Sequence, residues 1–335
     1  MFEADRSPLL HLLEERAKIV SAIRRFFDDR GFVEVETAVR IDAPAPEEHI
    51  DCPIVLGNVR GGTSPHPTDG QDVSYLRASP ELQMKKLLAA GMDRIYQIGP
   101  CFREGEKGSR HNPEFTMLEW YRRNATYLDI KDDLEGLFSF LEGSFASLCA
   151  PFAAKSYEAS PQGGCKEGAR VLRVRDAYLE FAGWDPWVGD WDQDRFDFDM
   201  ATKIEPAIKS IGGGVFLMDY PPQAASLAKI SSSSSCSLFP VPCSLPFAER
   251  WEFYWDGIEL ANCFTELCDK DEQLKRFVAA KESRKLLKES DYPIDSEFID
   301  SLPLMDSAAG VALGVDRLVM ILTKTKEISA VRAHI

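Results

Sequence analysis

The chain has 335 residues, of which 44% are hydrophobic and 28% are charged, and its formal net charge is −15. Such a composition is typical of a globular protein with a substantial core, and no apolar run approaches the roughly 18 to 20 residues that a membrane span requires. The acidic balance argues against a large phosphate-binding surface and favours a basic protein partner. With no signal peptide pattern at the N-terminus, we expect a cytoplasmic protein that binds neither a membrane nor tRNA.

Sequence signals in the first half of the chain predict three helices and three strands. Apolar residues at helical spacing, followed by Gly31, predict a helix over residues 7–30. Ser79, Pro80 and Glu81 form a cap signal for a second helix over residues 82–90. The remaining predicted elements are a strand over 32–35, an irregular segment over 43–70, strands over 94–102 and 113–121, and a helix over 128–145.

In the second half, Asp256-Gly257 is the strongest local signal and predicts a two-residue hairpin turn. The other predicted elements are strands over 171–174, 215–218, 251–255 and 258–264, helices over 176–181, 271–289 and 316–322, an acidic aromatic loop over 184–199 and a flexible serine- and proline-rich loop over 231–246. Because hairpins join the strands and there is no βαβ alternation, we predict an α+β fold. It has one domain over residues 1–335, built on an antiparallel sheet that helices flank.

One face of the predicted strand over 113–121 has side chains that could bind a charged ligand. Side chains alternate along a strand, so Phe115, Glu119 and Tyr121 share a face. Arg103 lies across a glycine-containing loop from them. A carboxylate and a phenol beside an arginine could hold a cationic amine and an anionic phosphate together, and the alternative is an ordinary solvated strand.

The predicted hairpin brings two carboxylates together. A two-residue turn would pair Phe253 with Leu260 and place Glu252 diagonally from Glu259, about 7 to 8 Å away. Two carboxylates at that separation could bind a divalent cation such as Mg²⁺ with its water shell, and the alternative is a solvated acidic face.

Three further polar side chains are candidates in the second half of the chain. Asn262 and Glu266 have the opposite alternation to Glu259, so they can share its face only if a bulge intervenes. Arg317 follows a glycine-spaced strand at the start of a helix, where anions are favoured; an exposed salt bridge is the alternative. No P-loop, GxGxxG, HExxH or GxSxG pattern occurs, and the eight cysteines lack the spacing of a zinc site or a disulfide framework.

These stretches, in this order, resemble the signature motifs of the class II aminoacyl-tRNA synthetases, and specifically the lysyl branch of that family. The matching stretches are residues 31–37 (GFVEVET) for motif 1 near 24–40, residues 102–103 and 111–121 (HNPEFTMLEWY) for motif 2 near 94–123, residues 257–262 (GIELAN) for the segment before motif 3, and residues 310–318 (GVALGVDRL) for motif 3 near 308–323. The resemblance implies the class II catalytic domain.

The resemblance also implies an enzyme that uses ATP and Mg²⁺ to activate an amino acid as its adenylate, with Arg103 and Arg317 as catalytic residues. The implied ATP-binding residues are Arg103, Glu104, Gly105, His111, Asn112, Phe115, Glu259, Leu260, Gly314 and Arg317. The implied substrate-binding residues are Ser79, Pro80, Glu81, Glu119, Tyr121, Asn262, Glu266 and Ala312. The implied Mg²⁺ ligands are Glu252 and Glu259.

Within the lysyl branch, the chain resembles the truncated paralogues of lysyl-tRNA synthetase. Motif 1 begins by residue 31, so we expect no anticodon-binding domain ahead of it. These paralogues, the elongation factor P lysine ligases, attach lysine, preferentially β-lysine, to a lysine of elongation factor P, and a homodimer is implied. Ala312 stands where the synthetase pattern has glycine, and its methyl group would shift the substrate's amino group.

Two positions depart from the family pattern. Gly105 stands where motif 2 usually has glutamate, with Glu104 and Glu106 beside it as substitutes, and Ala38 stands where motif 1 usually ends in proline.

Two alternative functions stay open. They are a stand-alone class II synthetase-like enzyme that uses another amino acid or acceptor, and an inactive binding paralogue.

Overall fold

The structure, a computed structural model, describes residues 6–57, 73–145, 169–231 and 245–333. Parts of two predicted loops, residues 58–72 and 232–244, lie outside the described residues.

A mixed sheet forms the centre of the molecule. The strands are β1 (Val33–Glu34), β2 (Arg40–Ile41), β3 (Ile54–Leu56), β4 (Val73–Leu76), β5 (Arg94–Phe102), β6 (Glu114–Arg123), β7 (Arg170–Arg173), β8 (Gly214–Tyr220), β9 (Ile230–Ser231), β10 (Phe247–Trp255), β11 (Ile258–Thr265) and β12 (Ala308–Gly314). In the described ranges the central sheet has the order β1-β5-β6-β12-β11-β10-β8-β7, with β9 against β10, and β2-β4-β3 form a second small sheet. The α+β class is therefore confirmed.

The two ends of the central sheet differ from the antiparallel prediction. β1 pairs with β5 and β7 pairs with β8 in parallel. Parallel neighbours need a long crossover connection, and the one between β7 and β8 contains helices where the sequence predicted a loop over 184–199. One of these helices, Gln193–Asp199, is capped by the Asp192 side chain, which accepts from the Arg195 backbone N–H at 2.9 Å.

Helices cover both faces of the sheet. They are α1 (Arg6–Asp28), α2 (Glu81–Ala89), α3 (Tyr127–Ser144), α4 (Val174–Ala177), α5 (Gln193–Asp199), α6 (Glu205–Ile211), α7 (Lys270–Leu287), α8 (Ser296–Ser301) and α9 (Val315–Leu322). Residues of α1, α3 and α9 share a core with Trp120 on one face, and residues of α2 and α4 to α8 share a core with Tyr121 on the other. No helix in the described part of the chain is both long and apolar enough to cross a membrane.

A bulge in the β10–β11 hairpin decides which side chains reach the Tyr121 face. Asp256 and Gly257 have φ angles of +46° and +74°, which confirms the predicted tight turn. However, Phe253 pairs with Ala261 and not with Leu260, because the register shifts between Phe253 and Tyr254. The predicted Phe253–Leu260 pair is therefore wrong. Leu260 is the extra residue, and beyond it the alternation of β11 is reversed.

Candidate active site

A cavity of about 430 Å³ opens on the Tyr121 face of the sheet. Most of the site residues that the sequence predicted line it, namely Ser79, Glu81, Arg103, His111, Asn112, Phe115, Tyr121, Glu252, Glu259, Leu260, Asn262, Glu266, Ala312, Gly314 and Arg317. The bulge explains how Glu259 reaches the same cavity as Asn262 and Glu266. The side chains before and after Leu260 alternate in opposite phase, so Glu259 lies on the same side of the sheet as the other two residues. Pro80, Glu104, Gly105 and Glu119 do not line the cavity.

Glu119 lies fully buried behind one end of the cavity. Its carboxylate accepts hydrogen bonds from Ser79 Oγ at 2.7 Å and from the Tyr121 hydroxyl at 2.8 Å. Burial, and then the nearby Glu81, raise the pKa of Glu119 to about 7. Ser79 also accepts the Glu81 backbone N–H at 2.9 Å, so the cap signal predicted from the sequence orients both the start of α2 and this carboxylate.

The carboxylates of partly exposed Glu81 and of buried Glu266 meet the ammonium group of Lys85. Lys85 Nζ lies 2.5 Å from Glu81 Oε1 and 2.5 Å from Glu266 Oε2. Burial lowers the pKa of Lys85, but the carboxylates of Glu266 and Glu81 outweigh it and hold that pKa above its usual value. Lys85 therefore stays charged.

This end of the cavity is short of positive charge. Burial raises the pKa of Glu266 to about 8 even though Lys85 opposes the shift, and Glu266 Oε1 has no hydrogen-bond partner within the described ranges. Three carboxyl groups, those of Glu81, Glu119 and Glu266, face Lys85 and the more distant Arg77. A ligand with one or more ammonium groups would complete this arrangement, because opposite charge within a buried site favours the ionised carboxylates.

The other end of the cavity carries two arginines and an aromatic ring. The Arg103 guanidinium lies 5.2 Å from the Phe115 ring centroid and 3.3 Å from Glu106 Oε1, and its Nε is buried without a hydrogen-bond partner among the described residues. Arg317 Nη1 donates to the Glu259 carbonyl at 2.8 Å. Two guanidinium groups beside an aromatic face suit a nucleotide that has phosphates and a stacked base.

His111 is held in its neutral form. Arg317 Nη2 lies 2.7 Å from His111 Nε2, and a guanidinium only donates, so Nε2 is the acceptor and a ring proton belongs on Nδ1. Burial and then the charge of Arg317 lower the pKa of His111. The ring therefore orients Arg317 without adding a positive charge.

Glu252 and Glu259 lie where the sequence predicted a metal site. Glu252 accepts from Arg250 Nη2 at 2.5 Å and from the Tyr254 hydroxyl at 2.6 Å, and Glu259 Oε2 lies 3.6 Å from Arg317 Nη1. Burial and then the charge of Glu252 raise the pKa of Glu259.

The two carboxylates fit Mg²⁺, because a cation would relieve the repulsion between them, and Mg²⁺ takes its other ligands from water and phosphate. No group of three or more metal-ligating side chains occurs in the described residues.

Comparisons with known proteins agree with this arrangement. The family described as tRNA synthetases class II (D, K and N) matches residues 2–334. An elongation factor P--(R)-beta-lysine ligase of Yersinia enterocolitica is 37% identical over 331 residues, which cover 98% of this chain and 95% of the relative. Proteins of the same name from Proteus mirabilis and Actinobacillus succinogenes are each 36% identical, and the matches cover 96% and 99% of this chain and 94% and 98% of those relatives.

The chain belongs to the class II tRNA synthetase family. The stretch that resembles motif 2 forms β5 and β6 with the loop between them, and the stretch that resembles motif 3 forms β12 followed by α9. β6 and β12 are direct neighbours in the sheet, so these two stretches meet along one seam, and Ala312 lies opposite Glu119 on that seam.

Two residues at the site, Lys85 and Gly310, had no role predicted from the sequence. Lys85 gave no signal because it lies on a helix outside the motifs, although its spacing of four residues from Glu81 fits one helix face. Of the two glutamates that the sequence offered as substitutes beside Gly105, Glu106 pairs with Arg103 and lines the cavity, and Glu104 does not line it. Gly310 was quoted within motif 3 without a role, yet an added Cβ would lie 2.0 Å from the Tyr121 ring.

Proposed function

We propose that this protein activates lysine with ATP as lysyl-adenylate and transfers the lysyl group to a lysine side chain of elongation factor P. The observation that carries the proposal is a cluster of three carboxyl groups at one end of the cavity, where Glu81 and Glu266 line the wall and Glu119 lies behind it. Arg103 and Arg317 line the same cavity. Such a site accepts an amino acid with an extra ammonium group beside a nucleotide. The names of the relatives, at 36 to 37% identity over nearly the whole chain, support the acceptor.

Each end of the amino acid has a complementary group in the cavity. Glu119 and Glu266, with Tyr121, would bind the side-chain ammonium, Glu81 the second amine, and Asn262 the carboxylate. Ala312 lies between these subsites, because it pairs with Glu119 on one side and with Asn262 on the other. Its methyl group therefore displaces the backbone-type amine, and this supports β-lysine as the preferred substrate.

Positioning and charge neutralisation account for the chemistry of activation. The lysine carboxylate attacks the α-phosphorus of ATP and pyrophosphate leaves, so no covalent protein nucleophile is needed. Arg103 would hold the α-phosphate and the attacking carboxylate, and Arg317 the γ-phosphate and one face of the adenine, with Phe115 on the other. Asn112, whose buried Nδ2 has no hydrogen-bond partner in the described part of the chain, would donate to ATP, as would the backbone near Leu260 and Gly314. Mg²⁺, held by Glu252 and Glu259, supplies further neutralisation of the phosphates when bound.

The oligomeric state and the location of the enzyme are a further part of the proposed function. We propose that it acts as a single catalytic domain, as a homodimer and in the cytoplasm, without tRNA as an acceptor. Val33 lies in motif 1 with 51% of its surface exposed, and a dimer through this motif would cover it. The net charge of −15 supports a protein acceptor over tRNA.

ATP–pyrophosphate exchange with a panel of amino acids tests the proposal. We expect exchange that depends on lysine and is greatest with β-lysine. Exchange that aspartate or asparagine supports best would contradict the choice of substrate and favour another synthetase-like enzyme. No exchange with any amino acid would contradict catalysis and favour a binding paralogue.

Ala312→Gly should shift substrate preference from β-lysine toward α-lysine. Removing the methyl group between the Glu119 and Asn262 subsites lets the amine return to the α position. The measurement is the ratio of kcat/KM for the two isomers in exchange, and a change of about tenfold is expected for one methyl group. An unchanged ratio would contradict the role of Ala312.

The affinity for lysine should rise with pH. The pKa values of about 7 for Glu119 and about 8 for Glu266 mean that both carboxyl groups lose their protons in the folded protein only near neutral pH. A protonated carboxyl has no charge with which to bind an ammonium group, so KM for lysine in exchange should fall as pH rises from about 6 to about 9. Glu119→Gln should weaken this dependence; a KM that rises over the same interval would contradict the assignment.

A further inference from the structure

Seven acidic side chains line the cavity, and six of them form an ion pair with a lysine or an arginine. Glu81 and Glu266 contact Lys85, and Glu106 contacts Arg103. Glu252, Glu259 and Asp316 contact Arg250, Arg317 and Arg16 respectively. The seventh, Glu47, has no side-chain hydrogen bond or ion pair to any described residue. Neither the activation step nor the binding of lysine uses it.

Glu47 lies at the lysine end of the cavity. It also lines a small adjoining cavity together with Ile50, Ser79 and Glu81. Burial raises the pKa of Glu47, the charge of Glu81 raises it further, and Arg103 opposes the shift. The carboxylate is therefore close to the subsite of the second amine and to the arginine that would hold the activated carboxyl group.

The backbone around Glu47 is held rigidly by one buried arginine. Arg284, 1% exposed, donates through Nη1 to the carbonyls of Glu47 and Ile50 at 2.5 and 3.1 Å, and its Nη2 binds Asp51. The Asp51 carbonyl in turn accepts the Glu104 backbone N–H at 2.8 Å. The segment that carries Glu47 is thus tied to α7 and to the loop between β5 and β6, so its backbone is held beside the cavity.

We propose that Glu47 is a catalytic residue of the transfer step, where its carboxylate binds the ammonium group of the acceptor lysine and accepts a proton from it. This role rests on the proposed function. The acceptor arrives as an ammonium ion and becomes a nucleophile only after it loses a proton. A carboxylate with a raised pKa beside the activated carboxyl group suits that task, because a base works best when its pKa approaches the working pH.

The step balances in atoms and charge. Glu47 takes one proton from the acceptor ammonium, and the free amine forms a C–N bond to the carbonyl carbon of the adenylate. The bond between that carbon and the phosphate oxygen breaks, and AMP leaves with the electron pair. The second proton leaves the new amide nitrogen for solvent.

The test compares the two half-reactions in Glu47→Gln, with Glu48→Gln as the matched control. Activation is measured by lysine-dependent ATP–pyrophosphate exchange, and transfer by the rate of labelling of elongation factor P. We expect the ratio of transfer to exchange to fall by about 10²-fold in Glu47→Gln, which is the usual contribution of a general base. The ratio should be unchanged in Glu48→Gln. Glu47→Asp, which keeps a carboxylate, should recover part of the loss.

Hydroxylamine separates proton removal from a structural defect. It is neutral near pH 7 and needs no base, so hydroxamate formation from lysyl-adenylate should persist in Glu47→Gln. Equal losses of exchange and transfer, an unchanged rate of transfer, or a parallel loss of hydroxamate formation would each overturn the role. A wild-type protein without lysine-dependent exchange would overturn the proposed function itself, and this role with it.

Discussion

Arg317→Ala is expected to lower the rate of lysine-dependent ATP–pyrophosphate exchange by about 10³-fold or more, which corresponds to about 4 kcal/mol of lost transition-state stabilisation. Arg317 is the cation at the start of α9, and it is oriented by the Glu259 carbonyl and by neutral His111. Its guanidinium would neutralise charge that develops on the departing pyrophosphate. No uncharged side chain can replace that contribution.

The structure offers a control for Arg317→Ala. Lys326 lies beyond α9, is exposed and is not among the cavity residues, so Lys326→Ala removes the same charge without touching the site. We expect full exchange activity in that variant and a Tm within a few degrees of wild type in both. Exchange that persists in a folded Arg317→Ala protein would show that motif 3 is wrongly assigned.

Gly310→Ala is expected to raise the KM for lysine by about 10²-fold or more and to cost about 1 to 3 kcal/mol of stability, the usual cost of overpacking. Gly310 pairs with Tyr121 across the seam of motifs 2 and 3. A Cβ there would lie 2.0 Å from Tyr121 Cδ1 and 2.2 Å from Cε1. The ring must move, and its hydroxyl then loses the hydrogen bond that orients Glu119.

Gly143→Ala is the matched control for this substitution. Gly143 lies in α3 with nothing within 4 Å of an added Cβ, and alanine favours a helix over glycine by about 1 kcal/mol. Exchange should be unchanged and Tm equal or higher. A folded Gly310→Ala protein with the KM of wild type would mean that Tyr121 and Glu119 do not bind the substrate.

The parts of the fold that the sequence predicted correctly are those with local signals. The turn at Asp256-Gly257 follows from the two positive φ angles that this dipeptide accepts, and β5 has the predicted bounds, Arg94–Phe102. Hydrophobic periodicity, with Gly31 after α1, places α1, α3 and α7 within two residues of their predicted ends. These features depend on residues that are close together in the chain.

The features that the sequence analysis missed depend on tertiary contacts. The sequence indicated that Glu259 and Asn262 can share a face only if a bulge intervenes, but no local pattern places that bulge at Leu260, because a strand that alternates in either phase has the same composition. The parallel pair of β7 and β8 depends on a crossover that contains α5 and α6, and no local pattern indicates which strands that crossover brings together.

The residues of the candidate site also differ in whether the sequence alone could indicate them. The motif residues Arg103, Phe115 and Arg317 could be chosen from the sequence because of their resemblance to a family pattern, and all three line one cavity. Lys85 and Glu47 could not, since their meaning comes from the groups that surround them in space. Lys85 matters because the carboxylates of Glu81 and Glu266 meet it, and Glu47 because every other acidic residue of the cavity has a partner in the described ranges.

The most direct test of the central claim is the intact mass of elongation factor P after incubation with this protein, ATP, Mg²⁺ and β-lysine. We predict a gain of one lysyl group on a single lysine side chain, dependent on ATP and absent with Arg317→Ala. An unmodified elongation factor P in a reaction that supports lysine-dependent exchange, together with labelled lysine on tRNA, would contradict the account.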